Sequence, residues 1–174
     1  MIRLSNSLLD LAKASYDQTE ISFKPIRLDE VLLDARNDVL HNQLTYKVAI
    51  TFEKDIDNDD YISVKGNEYL LKVAFINLIE NGCKFSDNKK STVAISYTNS
   101  HISIRFSDSG MGIGPEELQH IFTPFYRGRN KNISGNGIGL GLTKKIIEQH
   151  NGTITAQSVL QEGTTFTVTL KNMV

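Results

Sequence analysis

The chain has 174 residues, 40% of them hydrophobic and 22% charged, with a net charge of −1, so it suits one soluble globular domain rather than a disordered tail. With no long basic run, no apolar stretch of bilayer length and no basic-then-apolar leader, the sequence offers nothing for nucleic acid or for direct membrane contact. The lone cysteine, Cys83, has no partner for an internal disulfide, which fits a reducing cytoplasm.

Residues Met1 to about Gln18 read as a helix, with Leu4, Leu8 and Leu11 at helical spacing. Pro25 interrupts it, and Phe23 to Ile26 is a short extended segment. A helix then starts near Asp29 and runs through Val31, Leu32 and Ala35 to about His41. Val48 to Phe52 alternates like a strand, the acidic Asp55 to Asp60 cluster is a loop, and Tyr61 to Val64 reads as a second strand ended by Gly66-Asn67. Glu68 to Phe85 is a long apolar helix. Thr92 to Tyr97 and Ile102 to Phe106 form a hairpin around Thr98–His101, and Pro115 suits the first turn of a short helix. Arg127 to Gly137 is a mobile polar loop. Ile138 to about His150 is helical, stopped by Asn151-Gly152, and Thr153 to Gln157 pairs with Thr164 to Leu170. Paired strands and three or four helices point to an α+β, two-layer sandwich and against a doubly wound parallel sheet.

Three segments carry chemistry. In the helix Asn77-Leu-Ile-Glu-Asn81-Gly-Cys-Lys84-Phe85, residues 77, 81 and 84 fall within roughly 60° of one face. Each Asn costs up to ~0.7 kcal/mol against Ala inside a helix. An Asn carbonyl suits Mg²⁺ and a Lys suits phosphate, although the same stripe also fits solvent-facing amides. Asp108-Ser-Gly110-Met-Gly112-Ile113-Gly114 ends a strand with a carboxylate able to accept from an exocyclic amine, or else is a plain turn. Gly135-Asn-Gly137-Ile-Gly139-Leu140-Gly141-Leu142 leads into a helix whose N-terminus suits phosphate, and it is neither a P-loop nor a dinucleotide fingerprint. Between them, Phe122-Thr-Pro-Phe125-Tyr126-Arg127 with Arg129 and Lys131 reads as an aromatic anchor and a basic lid, or as packed aromatics beside a solvated loop. His41, His101, His120 and His150 have neither metal spacing nor a phosphoacceptor context, and each reads as a plain helix-end or loop residue.

In this order and spacing the segments resemble the histidine-kinase branch of the GHKL ATP-binding superfamily, over roughly residues 25 to 171. Asn77-x-x-x-Asn81-x-x-Lys84-Phe85 is similar to its N box, Asp108-x-Gly110-x-Gly112-Ile113 to its G1 box and Phe122-x-Pro-Phe125-Tyr126-Arg127 to its F box. Gly137-Ile-Gly139-Leu140-Gly141-Leu142 resembles the G2 box, and Gly163-Thr164-x-Phe166 the closing glycine-threonine motif. The resemblance implies a Bergerat fold, with a mixed, mostly antiparallel sheet against about three helices, and ATP and Mg²⁺ as cofactors. It implies that Asn81 holds Mg²⁺ and that Asp108, helped by Thr164, reads the adenine amine. Lys84, Arg127, Arg129 and Lys131 would face phosphates, with Phe85, Ile113, Gly114 and Phe125 also lining the ATP site. The run from Gly137 to Leu142 would cradle the phosphates and hinge the lid.

Where the superfamily's ATPases, such as gyrase, carry a water-activating glutamate, this chain has Asn77, and Glu80 is rotated away from Asn81. That favours transfer to a histidine imidazole over hydrolysis. Residues 1–20 resemble the end of the second helix of a dimerising, phosphoaccepting hairpin, and 21–174 the catalytic domain. The expectation is therefore a cytoplasmic, mainly monomeric fragment of a membrane-anchored, homodimeric sensor kinase. It would bind ATP without phosphorylating itself, because no residue of the chain is the acceptor histidine. Its partners would be that hairpin and a downstream response regulator or receiver domain. Rival readings are an ATP-hydrolysing chaperone-like module, a non-enzymatic ATP-binding regulator, and a serine kinase acting on an anti-sigma-factor antagonist.

Overall fold

The computed structural model describes residues 22–56, 58–128 and 136–174. The expected N-terminal helix, and with it the hairpin remnant assigned to residues 1–20, lies outside the described residues, as do Arg129, Lys131 and Gly135.

In chain order the elements are β1 (Lys24–Arg27), α1 (Leu28–Asn42), β2 (Lys47–Phe52), β3 (Ser63–Gly66), α2 (Glu68–Phe85), β4 (Lys90–Tyr97), β5 (His101–Asp108), α3 (Pro115–Leu118), α4 (Gly139–Gln149), β6 (Thr153–Val159) and β7 (Gly163–Lys171). Five strands make one sheet in the order β2-β4-β5-β7-β6, with β2 parallel to β4 and every other pair antiparallel. Along β4, β5 and β7, alternate residues are buried, as a sheet covered on one face requires. The covering layer is α1, α2 and α4, with α2 packed between the other two and against β4 and β5. The result is the expected two-layer α+β sandwich.

The long helix α2 forms the centre of the core. Leu70, Leu71, Ala74, Phe75, Leu78, Ile79 and Cys83 recur every three or four residues and are all buried, and the Phe75 ring meets Phe106 of β5 at 5.8 Å. Asn67 starts the helix by accepting the Leu70 N–H at 3.0 Å, a cap worth about 1 kcal/mol. Burial pushes the Cys83 thiol up to about 11, so it is an inert core group.

Two expectations need correcting. The strand expected over Tyr61–Val64 starts two residues later and runs over Ser63–Gly66, because Asp59–Tyr61 forms a 3₁₀ turn, started by the Asn58 side chain accepting the Asp60 N–H. That strand, β3, pairs with β1 in a separate two-stranded sheet and does not join the main one. Two of the histidines also differ from the expectation, whereas His41, in the last turn of α1, and His120, in a turn, agree with it. His101 opens β5. His150 is 6% exposed and holds two backbone segments together, its Nε2 accepting the Asn67 N–H at 3.0 Å and its Nδ1 lying 2.7 Å from the Ile146 carbonyl. Its ring also packs on Phe23, at 4.8 Å.

Only the neutral imidazole can donate at one nitrogen and accept at the other. Burial accordingly lowers the His150 pKa below its ordinary 6.5, against the opposing hydrogen bonds. A histidine whose folded value is depressed contributes its stability in full above the unfolded value and loses it as pH falls toward the folded one. Unfolding midpoints should therefore drop as pH falls below about 6.5. In His150→Ala, which starts about 2–4 kcal/mol less stable, that acid-sensitive part should vanish; an unchanged acid slope in the variant would place the effect elsewhere.

Candidate functional site

The site gathers at the end of the sheet where β5 stops, under the exposed edge of α2 and beside the start of α4. Asp108 is the last residue of β5, opposite Thr164 in β7. Its Oδ1 accepts the Gly110 N–H at 2.9 Å. Partial burial raises the Asp108 pKa, and the N–H groups of Gly110 and Thr164 pull it back. The carboxylate is thus a half-buried acceptor fixed on one side by the backbone.

Packing against neighbouring backbone leaves no room for a side chain at two glycines next to it. A Cβ on Gly110 would sit 2.0 Å from the Phe85 carbonyl oxygen, and an isolated bridge between Ser86 and Gly110 joins the same two segments. Gly163, at φ +126°, would place a Cβ 2.0 Å from the Asp108 carbonyl oxygen. Around Gly114, by contrast, a Cβ would meet nothing within 4 Å, so the loop opens there.

Sequence reasoning missed Ser158. Its hydroxyl accepts the Ile113 N–H at 2.8 Å, donates to the Gly163 carbonyl at 2.9 Å and lies 2.8 Å from the Thr164 hydroxyl. With Gln161 N–H bonded to the Met111 carbonyl at 2.8 Å, the β6–β7 turn clasps the loop from Gly110 to Gly114. Thr164 itself is 6% exposed and meets this network, not open solvent.

On α2, Asn77, Asn81 and Lys84 are half-buried along one face, while Leu78 and Ile79 are fully inside. Asn77 Nδ2 reaches the Gly139 carbonyl at 3.5 Å, which joins α2 to the start of α4. Lys84 Nζ lies 5.2 Å from the centre of the Phe85 ring. Among the described residues no side chain caps α4. The N–H groups of its first turn, at Gly139, Leu140 and Gly141, point out of the helix end, where the dipole is positive. Leu142 is different. Its side chain is in the core and its N–H bonds the Ile138 carbonyl, so it supports the site from behind.

Among the described residues, a hydrogen bond from the Phe125 N–H to the Gly137 carbonyl, at 2.9 Å, closes the base of the expected lid. Both residues have positive φ, 65° and 71°, a conformation that costs a non-glycine residue such as Phe125 about 1 kcal/mol or more. The Phe125 ring is 65% exposed, and Arg127 beyond it is also exposed.

Among the described residues no group of three or more His, Cys, Asp or Glu side chains is placed to hold a metal ion. A Mg²⁺ ion fits the donor chemistry all the same, because it commonly takes one or two protein oxygens and completes its shell with water and substrate phosphates. The Asn81 amide oxygen, one helical turn from the Asn77–Gly139 contact, is such a donor.

Residues 66–173 match the family model described as histidine kinase-, DNA gyrase B-, and HSP90-like ATPase. The heme sensor protein HssS of Staphylococcus saprophyticus is 39% identical over 81% of this chain and 32% of its own length. The sensor histidine kinase YcbM of Bacillus subtilis is 32% identical over 99% of this chain and 56% of its own. The chain therefore spans about half, or less, of the length of these curated relatives. Among solved structures, the mycobacterial sensor histidine kinase MprB superposes with a TM-score of 0.73 at 22% identity, over 86% of this chain and 97% of that one. Full-length ShkA in complex with AMPPNP gives 0.77 at 18% identity, over 99% of this chain and 36% of that one. At these identities the two structures speak for the fold.

Proposed function

The chain belongs to the histidine kinase-, DNA gyrase B- and HSP90-like ATPase family, as the catalytic ATPase domain of a sensor histidine kinase, and from that premise we propose that it binds Mg-ATP and donates the γ-phosphate to a histidine. The observation that carries the reading is the Asn77–Gly139 contact. It sets an amide-bearing helix face, Asn77 and Asn81, beside an uncapped helix N-terminus, so that a metal ligand and a phosphate cradle share one wall.

In this reading the base enters over Gly114, and Asp108 accepts from its exocyclic amine, with Thr164 behind. The first-turn N–H groups of α4 hold the phosphates. Lys84, Arg127, Arg129 and Lys131 add positive charge around them, and Phe125 flanks the lid base. Asn81 would hold Mg²⁺, which when bound supplies charge neutralisation for the phosphates. Position 77 carries an amide that cannot take a proton from water, so these residues position the phosphoryl group and leave the nucleophile to an incoming imidazole. That imidazole would come from a dimerisation hairpin of the same kinase, part of which residues 1–20 are proposed to form, and a response regulator would receive the phosphoryl group next. No described helix is long and apolar enough to cross a membrane; we place the domain on the cytoplasmic side of an anchored sensor.

The test is to mix the chain with a separately supplied histidine-bearing hairpin and γ-labelled ATP. Acid-labile label should accumulate on the hairpin, and Asn81→Ala should slow it about 100-fold. Release of inorganic phosphate at a comparable rate without any hairpin would favour the hydrolase reading.

A further inference from the structure

Four polar side chains line up across four adjacent strands at the site end of the sheet. The β5–β7 register sets Asp108 opposite Thr164, and the β6–β7 register sets Ser158 opposite Thr164. The β4–β5 register runs from Tyr97 opposite Ile102 to Thr92 opposite Ser107; its next step brings Ser91 opposite Asp108. Directly opposed residues share a face of the sheet, with Cβ atoms about 5 Å apart. A hydroxyl and a carboxylate can bridge that gap by rotating.

Three of these side chains already have partners. Ser158 and Thr164 bond to each other, and Asp108 bonds to Gly110. Ser91 does not: its side chain is 0% exposed, and its Oγ has no hydrogen-bond partner among the described residues. A buried hydroxyl in that position costs the fold stability that an alanine would not. Gly82 of α2 marks how close the two groups come, since a Cβ on it would lie 2.7 Å from Ser91 Oγ and 3.7 Å from Asp108 Cβ. The glycine follows Asn81 directly and leaves that space clear.

We infer that Ser91 is a positioning residue for Asp108, donating its hydroxyl proton to the carboxylate when a nucleotide base engages it, so that the pair selects an amino-bearing purine over a carbonyl-bearing one. The inference rests on the nucleotide reading above and adds a specificity determinant to it. An ionised carboxylate only accepts, and Oδ1 already takes the Gly110 N–H. A donor from Ser91 fixes the rotation of the group, so that the remaining acceptor capacity faces the base. Against a purine carbonyl, acceptor would meet acceptor. Without Ser91 the carboxylate is held only by the Gly110 and Thr164 N–H groups, and that discrimination weakens.

The experiment compares the 174-residue chain with Ser91→Ala and Ser91→Cys, the second replacing the hydroxyl with a somewhat larger group that is only a weak donor. Affinities for non-hydrolysable analogues of ATP and of its inosine counterpart are measured by competition, with the thermal midpoint of the free protein alongside. Both variants should bind the ATP analogue about 3- to 10-fold more weakly, by the loss of one hydrogen bond to a charged group. The adenine-to-hypoxanthine ratio should shrink by a similar factor, and the Ser91→Ala midpoint should stay level or rise. Unchanged affinity and ratio in both variants would overturn the inference while leaving the nucleotide site in place. Equal loss for both bases with a lowered midpoint would overturn it too, as a packing effect. If the unmutated chain binds neither analogue while its midpoint shows it folded, the nucleotide reading itself fails.

Discussion

Asp108→Asn is expected to weaken binding of an ATP analogue about 100-fold or more while leaving the empty domain as stable as before, or more stable. The first half follows from geometry. The Asn oxygen would keep the Gly110 N–H bond that Asp108 makes at 2.9 Å, which turns the new NH₂ group toward the base. A donor would then face the adenine amine, and sites built on one hydrogen bond reject a mismatched group by large factors. The second half follows from the sign of the pKa shift. Burial raises the Asp108 value above its ordinary 3.8, so the folded chain holds that proton more tightly than the unfolded chain. The stability tied to it is present below the unfolded value and lost as pH rises through the folded one, so at neutral pH the ionised carboxylate is a cost. An amide removes that cost. A variant that lost affinity only because it was partly unfolded would show a lowered midpoint, and calorimetric titration paired with thermal unfolding separates the two.

Gly163→Ala should cost roughly 3 kcal/mol of stability and also remove nucleotide affinity, because its Cβ would enter the Asp108 backbone. At φ +126° an alanine is strained whatever the surroundings, and here the surroundings are the Asp108 carbonyl oxygen at 2.0 Å and Ser109 Cα at 2.9 Å. Relief requires β7 and the end of β5 to separate, and that shift moves the carboxylate. Gly114→Ala is the contrast. Its φ of −67° is ordinary and its Cβ would meet nothing within 4 Å, so the fold should change by no more than about 0.5 kcal/mol. Denaturant titration of the two variants checks the difference, and similar losses in both would mean that the loop, not the Gly163 contact, sets the stability.

Much of the site was legible in the sequence because it is local. Asn77, Asn81 and Lys84 show their common face through helical spacing alone, and the burial of Leu78 and Ile79 on the other side agrees with it. The glycine run before Thr143 announces a helix start that no side chain caps. What stayed hidden depends on which strands lie side by side. Ser91 and Ser158 look like ordinary strand residues until the register places both on the row through Asp108 and Thr164. His150 sits at the helix end that Asn151-Gly152 marks, but its burial does not show there. The residue before a stop is usually exposed, and only the approach of Asn67, far away in sequence, makes it a buried clamp. The strand expected at Tyr61–Val64 moved because the Asn58 cap claims the first of those residues for a 3₁₀ turn. Leu142 was grouped with the phosphate cradle by its place in the motif, whereas the periodicity of α4 turns it into the core.

The most direct test of the nucleotide site is a calorimetric titration of a non-hydrolysable ATP analogue into the unmutated chain, with and without Mg²⁺. One-to-one binding that tightens with Mg²⁺, and that loses most of this Mg²⁺ dependence in Asn81→Ala, is the expected result. Absence of binding by the folded chain under both conditions would contradict it, leaving the Asp108, Asn81 and Gly139 geometry as a scaffold without a nucleotide.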